Sequence, residues 1–201
     1  MSTLTHAGTR LPNVSGTTRI GDTDVVWRLG SAGQVRRASV SGVAHAWAEE
    51  LVSDHGLFPW RGLAQAHQWA KPRPVGAPAA DVSISHSGGM ILVAACLGAC
   101  VGADIEAAPF NAFTSASLLR RMCTPAEAAY AAGLPDDERR SYLARVWTAK
   151  EAIVKADGAG LALDFRTLTV QVDAGIPPAP FEAHIAVLAD RTPPAIERLT
   201  I

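Results

Sequence analysis

The chain has 201 residues, 48% of them hydrophobic and 18% charged, with a formal net charge of −1. A chain of this length and apolar content can bury one sizeable core, or two small ones pressed together, which excludes general disorder. Near-neutral charge, with a pI of about 6.6, argues against a broad nucleic-acid-binding surface.

Taken in chain order, residues 1–22 are rich in Thr, Gly and Ser, show weak periodicity and lack the apolar centre of a signal peptide. Asp24 to Leu29 reads as a short strand. From Arg36 to Ser53, the residues Val40, Val43, Ala44, Trp47 and Leu51 fall on one helix face, and Gly56 supplies a stop. A proline-rich stretch from Lys71 to Asp81 reads as loop. Asp81 to Ser87 alternates, with Val82 and Ile84 on one face, and Gly88-Gly89 is a turn. The most hydrophobic run, Met90 to Ala103, is too short for a membrane span and breaks near Gly98 into two strands, Met90–Leu97 and Val101–Glu106. Thr124-Pro125-Ala126-Glu127 is a capping box opening a helix that stops at Gly133. A longer helix is predicted from Asp136 to Ala156, acidic in its first turn and followed by Gly158. Strands are predicted at Leu168–Val172 and Glu182–Leu188, with a less regular one at Ile196–Ile201. The class is α+β. Cys96, Cys100 and Cys123 fit neither a disulfide framework nor a zinc spacing, so the expected compartment is the reducing cytoplasm, with no membrane partner.

Two segments carry chemistry. In Val101-Gly102-Ala103-Asp104-Ile105-Glu106, a strand would turn Asp104 and Glu106 to one face and Ile105 to the core. Two neighbouring carboxylates repel unless a cation lies between them, and oxygen ligands suit Mg²⁺; a solvated strand end is the plain alternative. In Trp147-Thr148-Ala149-Lys150-Glu151-Ala152-Ile153-Val154-Lys155, the spacing i, i+4, i+8 puts Trp147, Glu151 and Lys155 close to one helix face. Glu151 and Lys155 could be an ordinary stabilising pair, yet they flank the apolar stripe. Lysine is scarce: the chain has 15 Arg and only Lys71, Lys150 and Lys155. A compact ammonium with an adjustable pKa is what Lys offers and Arg does not.

Together, VGADIE and WTAKEAIVK resemble the two-part signature of the 4′-phosphopantetheinyl transferases, G-x-D-[IV]-E followed by [WF]-x-x-K-E-[AS]-x-x-K. Ser85-His86-Ser87 and the preceding Lys71-Pro72 resemble motifs of the larger, surfactin-type branch, and Asp157-Gly158-Ala159-Gly160-Leu161 resembles its glycine-containing stretch. Arg121 and Glu127 resemble the intervening region, with Met122 and Cys123 in place of its aromatics. The resemblance covers roughly Lys71 to Val172. It implies two similar α+β halves in one chain related by pseudo-two-fold symmetry, residues 1–98 and 99–201, with the active site in the cleft between them. It further implies an Mg²⁺-dependent enzyme that is monomeric and moves 4′-phosphopantetheine from coenzyme A to a serine of an acyl, peptidyl or aryl carrier protein. On that resemblance, Asp104, Glu106 and Glu151 are the metal ligands, Glu151 and Lys155 are catalytic, and Lys71, Ser85, His86 and Lys155 bind coenzyme A. Lys150 is given a structural or phosphate-edge role. A non-catalytic coenzyme A or nucleotide-binding module is the competing reading; such a module could lose Asp104 or Glu151, and both are present.

Overall fold

Two antiparallel sheets, each with a helix on its outer face, share one apolar layer. The computed structural model describes residues 13–33, 37–66, 70–158, 160–173, 175–189 and 194–200. The first sheet has the order β1-β2-β6-β5, from β1 (Val14–Ile20), β2 (Thr23–Ser31), β5 (Ala80–Ser87) and β6 (Met90–Leu97). The β5–β6 connection is the two-residue turn Gly88-Gly89, at φ 56° and 81°, a region that a side chain would strain. Helix α1 (Arg37–Asp54) covers the outer face, where Val40, Ala44, Trp47 and Leu51 meet Val26, Val82, Ile91, Val93 and Ala95. Between α1 and β5, the short strands β3 (Leu63–Ala64) and β4 (Arg73–Pro74) pair with each other.

The second sheet has the order β7-β8-β9, from β7 (Cys100–Ala107), β8 (Phe181–Leu188) and β9 (Ala195–Arg198). Between β7 and β8 lie α2 (Ala116–Met122), α3 (Pro125–Ala132) and α4 (Asp136–Asp157). The inner faces meet in a shared core that includes Leu29, Leu92 and Ala94 of the first sheet and Val101, Ala103, Ile105 and Ile185 of the second. Helix α4 lies on the outer face of the second sheet. Its approach is closest at Gly102, where a Cβ would sit 1.8 Å from the Ala152 carbonyl oxygen.

The edges of the sheets are joined by side chains. Alternate residues of β5 accept hydrogen bonds from alternate N–H groups of β7: Asp81 Oδ2 from Val101 (2.8 Å), Ser83 Oγ from Ala103 (2.9 Å), Ser85 Oγ from Ile105 (3.4 Å) and Ser87 Oγ from Ala107 (3.3 Å). These amides would otherwise be unpaired at a sheet edge inside the protein, which costs free energy comparable to a lost hydrogen bond. The polar alternation of D-x-S-x-S-x-S therefore has a structural cause.

Most predicted elements appear within a residue or two of their expected ends, and the capping box forms: the Glu127 N–H donates to Thr124 Oγ1 and the Thr124 N–H to Glu127 Oε2. The strand expected at Leu168–Val172 is absent; the segment is irregular. Its alternation serves packing instead, with Val170 buried and Leu168 and Val172 half-buried against the α4 cluster. The β7 edge of the second sheet is already engaged by the β5 side chains. The Ile196–Ile201 strand is shorter than expected and shifted, spanning Ala195–Arg198; Ile201 lies outside the described residues. Strand β1 falls within residues 1–22, which the sequence leaves without an element. No helix among the described residues is long and apolar enough to cross a membrane.

Candidate active site

Each residue of the helical motif points in its own direction from α4. Trp147 stacks on Phe165 at 5.2 Å and packs against Phe113. Ala152 and Ala156 are the small residues that let the helix settle on Gly102. Lys150 is wholly buried and donates to the Met122 carbonyl (2.8 Å), the Phe165 carbonyl (3.0 Å) and Glu127 Oε2 (2.6 Å). Its three donors meet three acceptors from three separate segments, so it ties α4 to the helices beside it. Lys150 is therefore a structural anchor and does not lie at a phosphate edge.

Lys155 turns the other way, toward β7. Its Nζ donates to Asp104 Oδ1 (2.6 Å), Ser85 Oγ (3.1 Å) and the Ala103 carbonyl (3.2 Å). The helical spacing suggested a pair with Glu151; the ion pair forms with Asp104 instead. Asp104 is buried and also accepts from Ser85 Oγ at 2.7 Å, while its Oδ2 is buried without a hydrogen-bond partner. Glu106 accepts from Ser87 Oγ at 2.7 Å. Across the ladder, Asp104 faces His184 and Glu106 faces Glu182. Glu182 is held by Ser141 and Arg198, so Glu106 does not face a bare carboxylate.

The three carboxylates sense one another. Burial, then the charges of Asp104 and Glu106, push the Glu151 pKa up to about 7 against the opposing pull of Lys155. Burial also raises Glu106, against the Ser87 hydrogen bond. Among the described residues no three His, Cys, Asp or Glu side chains stand ready-grouped as a metal cage. The donor set is nevertheless all hard oxygen, and the orphaned Oδ2 of Asp104 lacks the positive partner that a buried carboxylate oxygen requires. These residues fit a divalent cation in chemistry.

Glu151 and Lys155 also line a cavity of about 380 Å³, together with Lys71 and His86. His86 is exposed on β5. Lys71 is largely buried and pairs with Asp81, whose other oxygen takes Arg73 at 3.0 Å; it also donates to the Val101 carbonyl at 2.5 Å. Burial lowers its pKa. Ser85, Asp104 and Glu106 are not part of this lining; the Ser85 hydroxyl is committed to Asp104, which Lys155 reaches from the cavity. The structure thus brings Lys71, His86, Glu151 and Lys155 around one space and sets Ser85, Asp104 and Glu106 beside it. Ser41 and His45, one turn apart on α1, also line this space, as does Ser83. The sequence reading missed these three. The i, i+4 spacing of Ser41 and His45 was the signal available for the first two, and the serine alternation of β5 for the third. Ala159 of the glycine-containing stretch lies outside the described residues; Gly158 caps α4 at φ 81° and lines the cavity.

The sequence model of the 4′-phosphopantetheinyl transferase superfamily matches residues 100–195, the stretch that holds both motifs and α4. That match supports a transferase of phosphopantetheinyl groups. No curated protein matches the chain.

Proposed function

We propose that this protein transfers 4′-phosphopantetheine from coenzyme A to a serine hydroxyl of an apo acyl, peptidyl or aryl carrier protein, releasing adenosine 3′,5′-bisphosphate. The observation that carries the reading is Lys155, which reaches Asp104 while lining, with Glu151, a cavity that also holds Lys71 and His86. Lys71, His86 and Lys155 line that space together with Glu151, and Lys155 links it to Asp104, the combination of cations and carboxylates that attack on a pyrophosphate demands. The serine oxygen bonds to the β-phosphorus, the bond to the bridging oxygen breaks, and the nucleotide leaves with that electron pair. Lys155 donates to the oxygens on which charge grows. Glu151 accepts the serine proton, directly or through a metal-bound water. His86 and Lys71 hold phosphate oxygens of coenzyme A, Lys71 by sharing its ammonium with Asp81, and Ser85 supports the site through Asp104. Asp104, Glu106 and Glu151 would hold Mg²⁺, which supplies charge neutralisation at the pyrophosphate. Residues 1–98 and 99–201 are read as two related halves of one chain, so that a monomer carries a complete site.

The test is incubation of the protein with coenzyme A, Mg²⁺ and a panel of apo-carrier proteins, read by intact mass. The reading requires a carrier to gain one phosphopantetheinyl group, and chelation of divalent metal to abolish the gain. Tight coenzyme A binding with no carrier modified across acyl, peptidyl and aryl members would favour the non-catalytic module.

A further inference from the structure

We propose that Ser87 is a positioning residue, holding Glu106 in the orientation that the transfer site uses; the inference rests on the reading above. The argument starts from the β5–β7 ladder. A serine hydroxyl has one proton. At Ser87 the oxygen receives the Ala107 N–H at 3.3 Å, and the single proton goes to Glu106 Oε2 at 2.7 Å. The hydroxyl has a single proton to give, and Glu106 is the acceptor that takes it. Ser85 repeats the arrangement one rung earlier, taking the Ile105 N–H and giving its proton to Asp104 Oδ1. Both serines precede their carboxylate by 19 residues, so the strand register aims two hydroxyls at two carboxylates at once. At the rung before, Ser83 takes the Ala103 N–H in the same way, but the position 19 residues on is Gly102, which has no side chain to orient.

Ser83 is thus a built-in comparison, a rung of the ladder without a carboxylate. Asp104 has Lys155 as a second support. Among the described residues, Ser87 alone donates a hydrogen bond to Glu106, leaving Oε1 open to a ligand. Side chains that orient ligating carboxylates commonly alter metal affinity by 10-fold or more when removed.

The experiment titrates Mn²⁺ into wild type, S87A, S87T and S83A with coenzyme A present. Free ion is read by electron paramagnetic resonance against a protein-free reference, and thermal melts and carrier modification are measured beside it. The expected result is Mn²⁺ binding about 10-fold weaker in S87A, restoration in S87T, which keeps the hydroxyl, and a smaller loss in S83A than in S87A, since Ser83 also lines the cavity. S87A should also need more Mg²⁺ for half-maximal transfer, with KM for coenzyme A unchanged at saturating metal. Wild-type Mn²⁺ affinity in S87A would overturn the inference and leave the transferase reading standing. Equal weakening in S83A and S87A would also overturn it, since the ladder would then act only through the sheet. A wild-type protein that neither binds Mn²⁺ nor modifies a carrier would instead remove the reading on which the inference rests.

Discussion

Two lysines five residues apart on α4 do opposite things. Lys155 sits within hydrogen-bond reach of a carboxylate, a hydroxyl and a carbonyl that converge on one nitrogen. A planar guanidinium cannot occupy that point, and its pKa is too high for it to give up a proton. Lys155→Arg should therefore lower kcat by on the order of 100-fold in single-turnover transfer, with little change in melting temperature, because the side chain is partly exposed at the cavity. A near-wild-type rate would return Lys155 to a simple ion-pair role. Lys150 has the reverse signature. Lys150→Met removes the partner of Glu127 and strands two buried carbonyls, so urea denaturation should show a loss of about 3–5 kcal/mol. Adding Glu127→Gln, which removes the unpaired charge, should recover part of it. Both lysines stood in one legible motif, whose spacing set Lys155 and not Lys150 on the face of Trp147 and Glu151; the partners of each were not legible. The acceptors of Lys150 come from positions 122, 127 and 165, and only folding brings those together.

Among the elements, those whose pattern follows a single period were readable. Helix α4 declared itself through acidic residues at its start and Gly158 at its end, and β6 through an unbroken apolar run. Strand β1 did not, because its inner and outer positions are Ser, Thr and Gly as well as Val and Ile, leaving little hydrophobic contrast. Residues 168–172 had the alternation of a strand and spend it on packing in the α4 cluster. The site depends on one contact between elements, α4 against β7 at Gly102. Gly102→Ala would place a methyl carbon against the backbone of Ala152 and Ala156, which cannot rotate aside as a side chain can. The expected cost is about 1–3 kcal/mol of stability, seen as a melting temperature lower by several degrees. Transfer should fall with it, since Glu151 and Lys155 ride on the displaced helix. Unchanged stability in this variant would mean that the helix does not press on the strand.

For the molecule as a whole, one buried histidine carries an expected sensitivity to acid. His184 is buried between β8 and α4, bonded through Nδ1 to Thr148 Oγ1 at 2.8 Å. Burial, and then the charges of Arg198 and Arg145, push its pKa down to about 3 from an ordinary 6.5. Above pH 6.5 the ring is neutral in both folded and unfolded chains, and the full stability is present. As pH falls toward 3, the unfolded chain takes up a proton that the folded one refuses, so stability drops by about 1.4 kcal/mol per unit over the middle of that window. Glu151 and Glu106, whose carboxyl pKa values are raised, slope the other way over the same range. The histidine is therefore read by difference: thermal melts from pH 7 to 4 should show wild type losing stability relative to His184→Gln with this slope. An identical slope in the variant would assign the acid sensitivity elsewhere.

The seam of Asp81, Ser83, Ser85 and Ser87 also governs how this protein meets its own copies. An open strand edge offers a row of N–H groups to any passing chain and is a template for fibrous association. Here the outward amides of β7 are already capped, each by a side chain from β5. A foreign strand would have to displace hydroxyls that are covalently tethered and held at high local concentration. The edge is closed to recruitment by side chains alone, with no backbone ladder spent on it.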